Sequence, residues 1–118
     1  MSVVHVREEL VPLLTEVTAR SADFERQRHV SDDIISRFKQ VGVYRALVPK
    51  IYGGDECSPA KFCELIEQIA TADGSAGWVA SFGMSPFYLG ALPPDTLKEL
   101  YRDGPDVVFA GGIYPTHK

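Results

Sequence analysis

The segment 58–73 carries helix signals at both of its ends, and this feature constrains the fold most strongly. Ser58-Pro59 is a typical helix start, because serine caps free backbone amides and proline suits the first helical position. Asp73-Gly74-Ser75 ends this helix and begins the next one. Between the two signals, apolar residues recur on one helix face: Phe62, Leu65, Ile66 and Ile69.

The same criteria predict helices elsewhere in the chain. These are residues 4–28, residues 31–41 and a last helix that follows Pro93-Pro94. Within the first, Pro12 either ends a short initial turn or kinks the helix. Ser31 is the expected cap of the second, and Gly42 is its expected stop. The segment VYRALVPKIYGGDE between helices is predicted to be a packed loop, in which Gly53-Gly54 permits a sharp turn.

Val107-Val108-Phe109-Ala110 predicts a short β-strand that has no partner strand in the sequence. A single strand is not stable alone. We therefore expect an all-α domain over residues 1–105, followed at 106–118 by the first strand of a truncated second domain. The chain is then either a fragment or a protein that borrows its sheet from a partner.

Composition narrows the function classes. The net charge is −4, and the lysines and arginines are scattered, which disfavours nucleic acid as a partner. The N-terminus lacks the apolar core of a secretory signal, and no window is apolar enough to cross a membrane. Cys57 and Cys63 match no metal or redox spacing and indicate reduced thiols in a cytoplasmic protein. Three dispersed histidines do not support a metal site.

The stretch ADGSAGWVASFGMSPF (72–87) is the most unusual part of the chain. It is predicted to be helical to about Leu89, yet it combines three glycines and three serines with the only tryptophan. Its aromatic residues could line a pocket or could be core residues: Trp78, Phe82 and Phe87. Ser81 and Ser85 could offer hydroxyls to a ligand, or could bond to carbonyls of their own helix.

The segments VGVYRALVPKIYGG, ADGSAGWVASF and the strand region 109–115 together resemble the N-terminal helical domain of the acyl-CoA dehydrogenase superfamily. The resemblance extends from about Arg20 to Pro115. It is greatest to the branch of two-component flavin-dependent monooxygenases that hydroxylate phenols and related compounds. The tryptophan and the Ser-Phe that follows it favour this branch.

The resemblance implies a longer enzyme, with a middle β-domain and a C-terminal helical bundle, that assembles as a tetramer. It implies FAD or reduced FMN as the cofactor, and a separate flavin reductase as a partner. The helix after ADGS is expected to form a wall of the pocket, where small residues would let a planar ligand approach the backbone. Flavin contacts are expected from the end of the first strand: Gly111, Gly112, Tyr114 and Pro115.

One departure from the branch affects the chemistry. Many of its aromatic hydroxylases carry a histidine in the helix after the tryptophan, whereas residues 83–88 contain none. No catalytic acid or base is therefore assigned in this chain. Two alternatives stay open at this point: an acyl-CoA dehydrogenase-type FAD enzyme, and a non-catalytic module that docks on a full-length partner.

Overall fold

The computed structural model describes the backbone of residues 3–109 and the side chains of residues 8–109. The regular secondary structure of this part of the chain is all helical, as predicted. Its seven α-helices are α1 (Val3–Ala19), α2 (Ser21–Gln27), α3 (Asp32–Gln40), α4 (Pro59–Ala72), α5 (Gly74–Ser81), α6 (Pro86–Leu89) and α7 (Pro94–Leu100). Two short 3-10 helices lie at Lys50–Tyr52 and Phe82–Met84. Among the described residues, no helix is long and apolar enough to span a lipid bilayer.

The prediction of one helix over residues 4–28 is wrong, because the chain breaks at Arg20 into α1 and α2. The helix runs through Pro12, so this proline does not end a first turn. The break lets α2 change direction, and Phe24 then reaches the same buried core as Val17. Arg28 ends α2 in the left-handed conformation, with φ 66°.

Helix α3 begins and ends where the sequence predicts, but its capping differs. The Ser31 hydroxyl makes no capping bond to the backbone. It instead accepts a hydrogen bond from Gln27 Nε2 at 2.6 Å, which ties α3 to the end of α2. Arg20 strengthens this corner, since its guanidinium donates to both carboxylate oxygens of Asp33 at 2.6 and 3.0 Å. Gly42 follows α3 with φ 90°, a conformation that suits glycine.

Both signals that define α4 are confirmed. The Ser58 hydroxyl accepts from the Lys61 amide at 3.2 Å, and Pro59 occupies the first turn. At the other end, an Asp73 carboxylate oxygen accepts from the Ala76 amide at 2.7 Å and so caps α5. The core forms where α1, α3, α4 and α5 meet, and its most deeply buried residues include Leu10, Val17, Ile34, Phe38, Tyr44, Ile69, Ala76 and Ala80.

The prediction of one continuous helix from residue 73 to Leu89 is wrong. After α5, the chain tightens into the 3-10 turn Phe82–Met84, and α6 starts at Pro86. Proline explains the break, because it lacks the amide that would bond four residues back and its ring crowds that carbonyl. The side chains on either side of the turn therefore do not share one helix face.

The predicted strand is not formed at Val107–Phe109. These residues are irregular, and the described part of the chain contains no strand with which they could pair. Ala110 and the rest of the predicted second domain lie outside the described residues, so the division at residue 105 stays a prediction.

Candidate substrate-facing surface

Helix α5 has a buried side made of small residues. Ala76 and Ala80 are fully buried, and Gly77 lies against α4. A β-carbon at Gly77 would lie only 2.5 Å from Cβ of Ala70, so any larger residue forces the two helices apart. The small residues on this side therefore serve the packing of α5 on α4. Gly74 lines an open groove instead, so the expectation that small residues let a planar ligand approach the backbone stays a prediction.

The opposite side of this segment exposes large aromatic rings. Trp78 is 70% exposed and Phe87 is 58% exposed, which is unusual for side chains of this size. Phe82 is half-buried and meets Trp78 edge to face, with ring centroids 5.9 Å apart and planes at 79°. Trp78 and Phe87 are thus available for contact with a ligand or another part of a protein, and do not contribute to the core.

The exposed rings border two different grooves. Trp78 lines a groove of about 490 Å³ between α2 and α5, which we call the mixed groove because charged and apolar side chains share it. Its other walls include Phe24 and Val79, together with the polar side chains of Glu25, Arg28 and His29. Glu25 and Arg28 carry opposite charges, so the charged part of this lining does not favour one sign of ligand charge.

The second groove, of about 420 Å³, runs between α4 and the 82–87 segment, and we call it the apolar groove. Phe87 and Ser81 border it, and they face a set of carbon-rich side chains from both elements: Pro59, Phe62, Ile66 and Met84. Cys63 and Glu67 complete its lining, and among the described residues Glu67 is its one charged side chain. An environment of this kind suits an uncharged ring.

The two predicted serines have different surroundings. The Ser81 hydroxyl donates to the Trp78 carbonyl at 2.5 Å, as expected for a helical serine that bonds within its own helix. Its side chain still borders the apolar groove. Ser85 is only 3% exposed and lies between the 3-10 turn and α6, where it lines neither groove. The structure therefore brings Ser81 together with Phe87, and separates both from Ser85.

A buried tyrosine, Tyr44, contacts the backbone of α5. Tyr44 is 1% exposed, and its hydroxyl donates to the Val79 carbonyl at 3.3 Å. Burial raises the pKa of Tyr44 to about 12, because its ionised form would lose hydration. Gly83 lies close to the loop that follows α3, since a β-carbon at Gly83 would approach the Val43 carbonyl oxygen to 2.9 Å. The aromatic segment is thus held on a rigid base.

The apolar groove meets only part of what a flavin requires, since a flavin combines a planar tricyclic ring with at least one phosphate. The apolar groove fits a ring, because its lining is almost entirely carbon. It does not fit a phosphate, since Glu67 would repel one. The residues predicted to contact the flavin lie outside the described part of the chain: Gly111, Gly112, Tyr114 and Pro115.

Several groove residues were missed by the sequence reasoning. Phe62 and Ile66 were predicted only as members of one apolar helix face, and their spacing of four also makes them a shared wall beside Cys63. Met84 lies within residues 72–87, but it was not predicted to line a groove. Arg28 and His29 approach Trp78 only through the fold, since α2 and α5 are distant in sequence. No local pattern could have predicted that contact.

Comparison with known proteins decides the family. The model of the acyl-CoA dehydrogenase N-terminal domain matches residues 5–93, which is most of the chain. The chain belongs to this family. The suspected resemblance to the acyl-CoA dehydrogenase superfamily is therefore confirmed, and the helical architecture described above is that of its N-terminal domain.

Relatives of this N-terminal domain include flavin-dependent monooxygenases. An indole-3-acetate monooxygenase from Acinetobacter baumannii is 62% identical over 109 residues, which is 91% of this chain and 28% of the relative. Another indole-3-acetate monooxygenase, from Pseudomonas putida, is 68% identical over 97 residues, 82% of this chain and 25% of the relative. The chain therefore spans only about a quarter of the length of these proteins.

Solved structures show the same fold at lower identity. The HsaA monooxygenase from M. tuberculosis superposes with a TM-score of 0.83 at 28% identity, over 90% of this chain and 28% of that one. The 3-HSA hydroxylase from Rhodococcus sp. RHA1 gives a TM-score of 0.82 at 29% identity, over 87% of this chain and 28% of that one. The N-terminal domain thus keeps its architecture across these monooxygenases.

Proposed function

We propose that the full-length protein is the oxygenase component of a flavin-dependent monooxygenase that hydroxylates an aromatic or related small molecule with reduced flavin and O₂. The main support is the identity of 62% and 68% to two indole-3-acetate monooxygenases. Relatives named as an oxygenase subunit and an oxygenase component add to it. An indole carboxylate is accordingly the first substrate to test.

In this proposal the chain forms one wall of the substrate and flavin pocket. Trp78, Phe82 and Phe87 supply aromatic surface, and Ser81 supplies the polar atom at the edge of the apolar groove. Ser85 belongs to the wall only through the backbone turn that it stabilises, because its side chain is buried. These roles follow from exposure and position on one segment.

The cofactor of the full-length protein is FAD or reduced FMN, supplied by a separate reductase. When bound, the flavin supplies the electrons that activate oxygen. The part assigned to this chain is to orient the substrate ring and to exclude water, for which aromatic side chains on a rigid base are well suited. In this proposal the flavin contacts are Gly111, Gly112, Tyr114 and Pro115, in a second domain that begins at residue 106.

Three further properties belong to the same proposal. The full-length protein would work in the cytoplasm, since both cysteines in the chain are free. It would form a homo-oligomer, with a tetramer expected from the family. Flavin would bind between domains, so residues 1–118 alone should bind FMN and FAD poorly. Micromolar affinity of the isolated chain for either flavin, measured by fluorescence titration, would contradict this arrangement.

The direct test uses the full-length protein with a flavin reductase, NADH and indole-3-acetate. We expect substrate-dependent oxygen consumption and a hydroxylated product detected by mass spectrometry. Phenylacetate and 4-hydroxyphenylacetate serve as comparison substrates, because they share the carboxylate and differ in the ring. If no aromatic acid stimulates oxygen consumption above the rate of free reduced flavin, the proposal is wrong.

The family assignment itself favours one second candidate, an acyl-CoA dehydrogenase-type FAD enzyme. The same purified protein distinguishes the two. A dehydrogenase would reduce an artificial electron acceptor in the presence of an acyl-CoA, with no need for oxygen or reductase. If neither activity is found, the remaining alternative is a non-catalytic module that docks on a full-length relative.

A further inference from the structure

The floor of the apolar groove is the ring of Phe62, which is buried in a small hydrophobic cluster with Ala46 and Leu47. Gly83 packs on this ring from the neighbouring segment, because a β-carbon at Gly83 would lie only 3.1 Å from Phe62 Cε1. The groove volume of about 420 Å³ falls within the range of small-molecule pockets, which is about 300 to 1,000 Å³. The groove therefore combines a closely packed floor with room for an aromatic ring.

The walls of the apolar groove present almost only carbon atoms. Ile66 and Met84 are half-buried, pack against the cluster that contains Phe62, and line the groove, while Pro59 and Phe87 are exposed and border it. A polar group that enters such a space loses its hydrogen bonds to water and gains none in return, which weakens binding. The walls therefore accept a hydrocarbon ring and disfavour a ring that carries a polar substituent.

The polar side chains at the border of the apolar groove offer nothing to an acid group. The Ser81 hydroxyl already donates its one proton to the Trp78 carbonyl. The Cys63 thiol is only a weak donor, and the exposed carboxylate of Glu67 would repel an anion. Among the described residues, no side chain of the groove can give a strong hydrogen bond to a carboxylate. The acid group of a bound aromatic acid must therefore lie outside the groove.

We propose that the apolar groove is the subsite for the substrate ring, and that Phe62, Ile66 and Met84 select against a ring hydroxyl group. The ring enters with its hydrocarbon end, and the acid group stays outside. The inference rests on the proposed function, because it takes the substrate to be an aromatic acid. It defines the substrate class more narrowly: the end of the ring that lies away from the acid carries hydrogen or an alkyl group and no hydroxyl.

The first experiment compares two ligands of nearly equal size on the full-length protein, without the reductase, so that no turnover occurs. The ligands are 5-methylindole-3-acetate and 5-hydroxyindole-3-acetate, which differ in whether the ring substituent needs a hydrogen-bond partner. Equilibrium dialysis measures both dissociation constants. We expect the hydroxyl ligand to bind at least about tenfold more weakly than the methyl ligand. A hydroxyl ligand that binds as tightly as the methyl ligand would overturn the proposal.

Variants of the groove wall show whether the apolar groove causes this preference. Met84→Gln places an amide on the wall with little change of volume, and Cys63→Ser adds a hydroxyl at an exposed position, where it should not impair folding. Each should reduce the preference for the methyl ligand by about threefold or more. Ile51→Gln is the control, because Ile51 is exposed and lines neither groove. An unchanged preference in both groove variants would place the ring elsewhere and overturn the proposal.

The Cys63 thiol provides a second readout that does not depend on turnover. Because Cys63 is exposed and lines the groove, N-ethylmaleimide should alkylate it in the full-length protein. Indole-3-acetate at about ten times its dissociation constant should slow this reaction about tenfold, measured on the Cys63 peptide by mass spectrometry. An unchanged rate would overturn the subsite. So would a Cys63 that never reacts, since another part of the full-length protein would then cover the groove.

The two proposals fail in different ways. If indole-3-acetate protects Cys63 but no aromatic acid stimulates oxygen consumption, the groove binds the ring and the proposed function is wrong. If aromatic acids stimulate oxygen consumption but leave the alkylation of Cys63 unchanged, the proposed function stands and the subsite is wrong.

Discussion

The two sides of the segment 74–89 use opposite kinds of residue for opposite purposes. The inner side uses Ala76, Gly77 and Ala80, which are buried against α4 and contribute little surface of their own. The outer side uses Trp78 and Phe87, which expose most of their surface. In an ordinary amphipathic helix the large apolar residues face the core. The reversal here indicates that the outer rings were placed for contact with something other than this domain.

The difference between the two sides shows how α5 can hold exposed aromatic rings in a defined position. Small inner residues bring α5 close to α4, so its backbone is fixed by close packing and by the Tyr44 hydroxyl. The outer rings are therefore attached to a closely packed backbone. Fully burying a large apolar side chain stabilises a protein by about 1.5 to 3 kcal/mol, and an exposed Trp78 largely forgoes that contribution.

The largest effect is expected on the inner side, from Gly77→Ala. The added methyl would overlap Ala70, and forcing α5 away from α4 should lower the free energy of unfolding by about 2 kcal/mol. Gly74→Ala is the control in the same helix, because a β-carbon there meets no atom within 4 Å. Urea denaturation measures both. Equal stability of the two variants would mean that the inner side is not closely packed.

A smaller effect is expected at Tyr44, the support beneath α5. Tyr44→Phe removes the hydrogen bond to the Val79 carbonyl and should cost about 1 kcal/mol near neutral pH. The pKa of Tyr44 is raised from 10.0 to about 12 in the folded state, so the folded state retains the proton where the unfolded state loses it. Wild-type stability should therefore fall as pH rises from about 10 to 12.

Tyr44→Phe should reduce that alkaline loss of stability, because phenylalanine has no proton to release. Melting temperatures at pH 8, 10 and 11 provide the measurement. A wild type and variant that lose stability in parallel over this range would show that Tyr44 does not titrate as a buried group.

A still smaller effect is expected at Asp33, which pairs with Arg20. The hydrogen bonds from Arg20 hold the pKa of Asp33 below its usual value of 3.8. This contribution to stability is present above about pH 4 and is lost as the pH falls through the lowered pKa. Asp33→Asn should lower the melting temperature slightly at pH 6 and should show less acid destabilisation below pH 4. Both changes are small, because Asp33 is largely exposed.

Much of the fold was predictable because local signals and tertiary packing agree. The Ser58 cap, the Asp73 cap and the Gly42 stop all depend on side chains and backbone groups within a few residues. The failures at α2 share one cause. The break at Arg20 and the Gln27 bond to Ser31 depend on where α2 must point to bury Phe24, and that direction is set by distant elements.

The candidate site was predictable in residue type and not in arrangement. The unusual composition of the stretch around Trp78 predicted a ligand-facing surface. The structure exposes Trp78 and Phe87, as such a surface requires. Ser81 and Ser85 lie four residues apart, a spacing that predicts one shared helix face, but Pro86 interrupts the helix and Ser85 is buried. The division into a mixed and an apolar groove depends on α2 and α4, which no local pattern relates to α5.

The most direct test of the outer wall is Trp78→Ala in the full-length protein, with Tyr88→Ala as the control. Both side chains are exposed, at 70% and 60%, but Tyr88 lines neither groove. The account predicts that Trp78→Ala changes the free energy of unfolding by less than about 1 kcal/mol, weakens substrate binding and releases more peroxide per O₂ consumed, while Tyr88→Ala leaves all three unchanged. Unaltered substrate affinity and peroxide release in Trp78→Ala would contradict it.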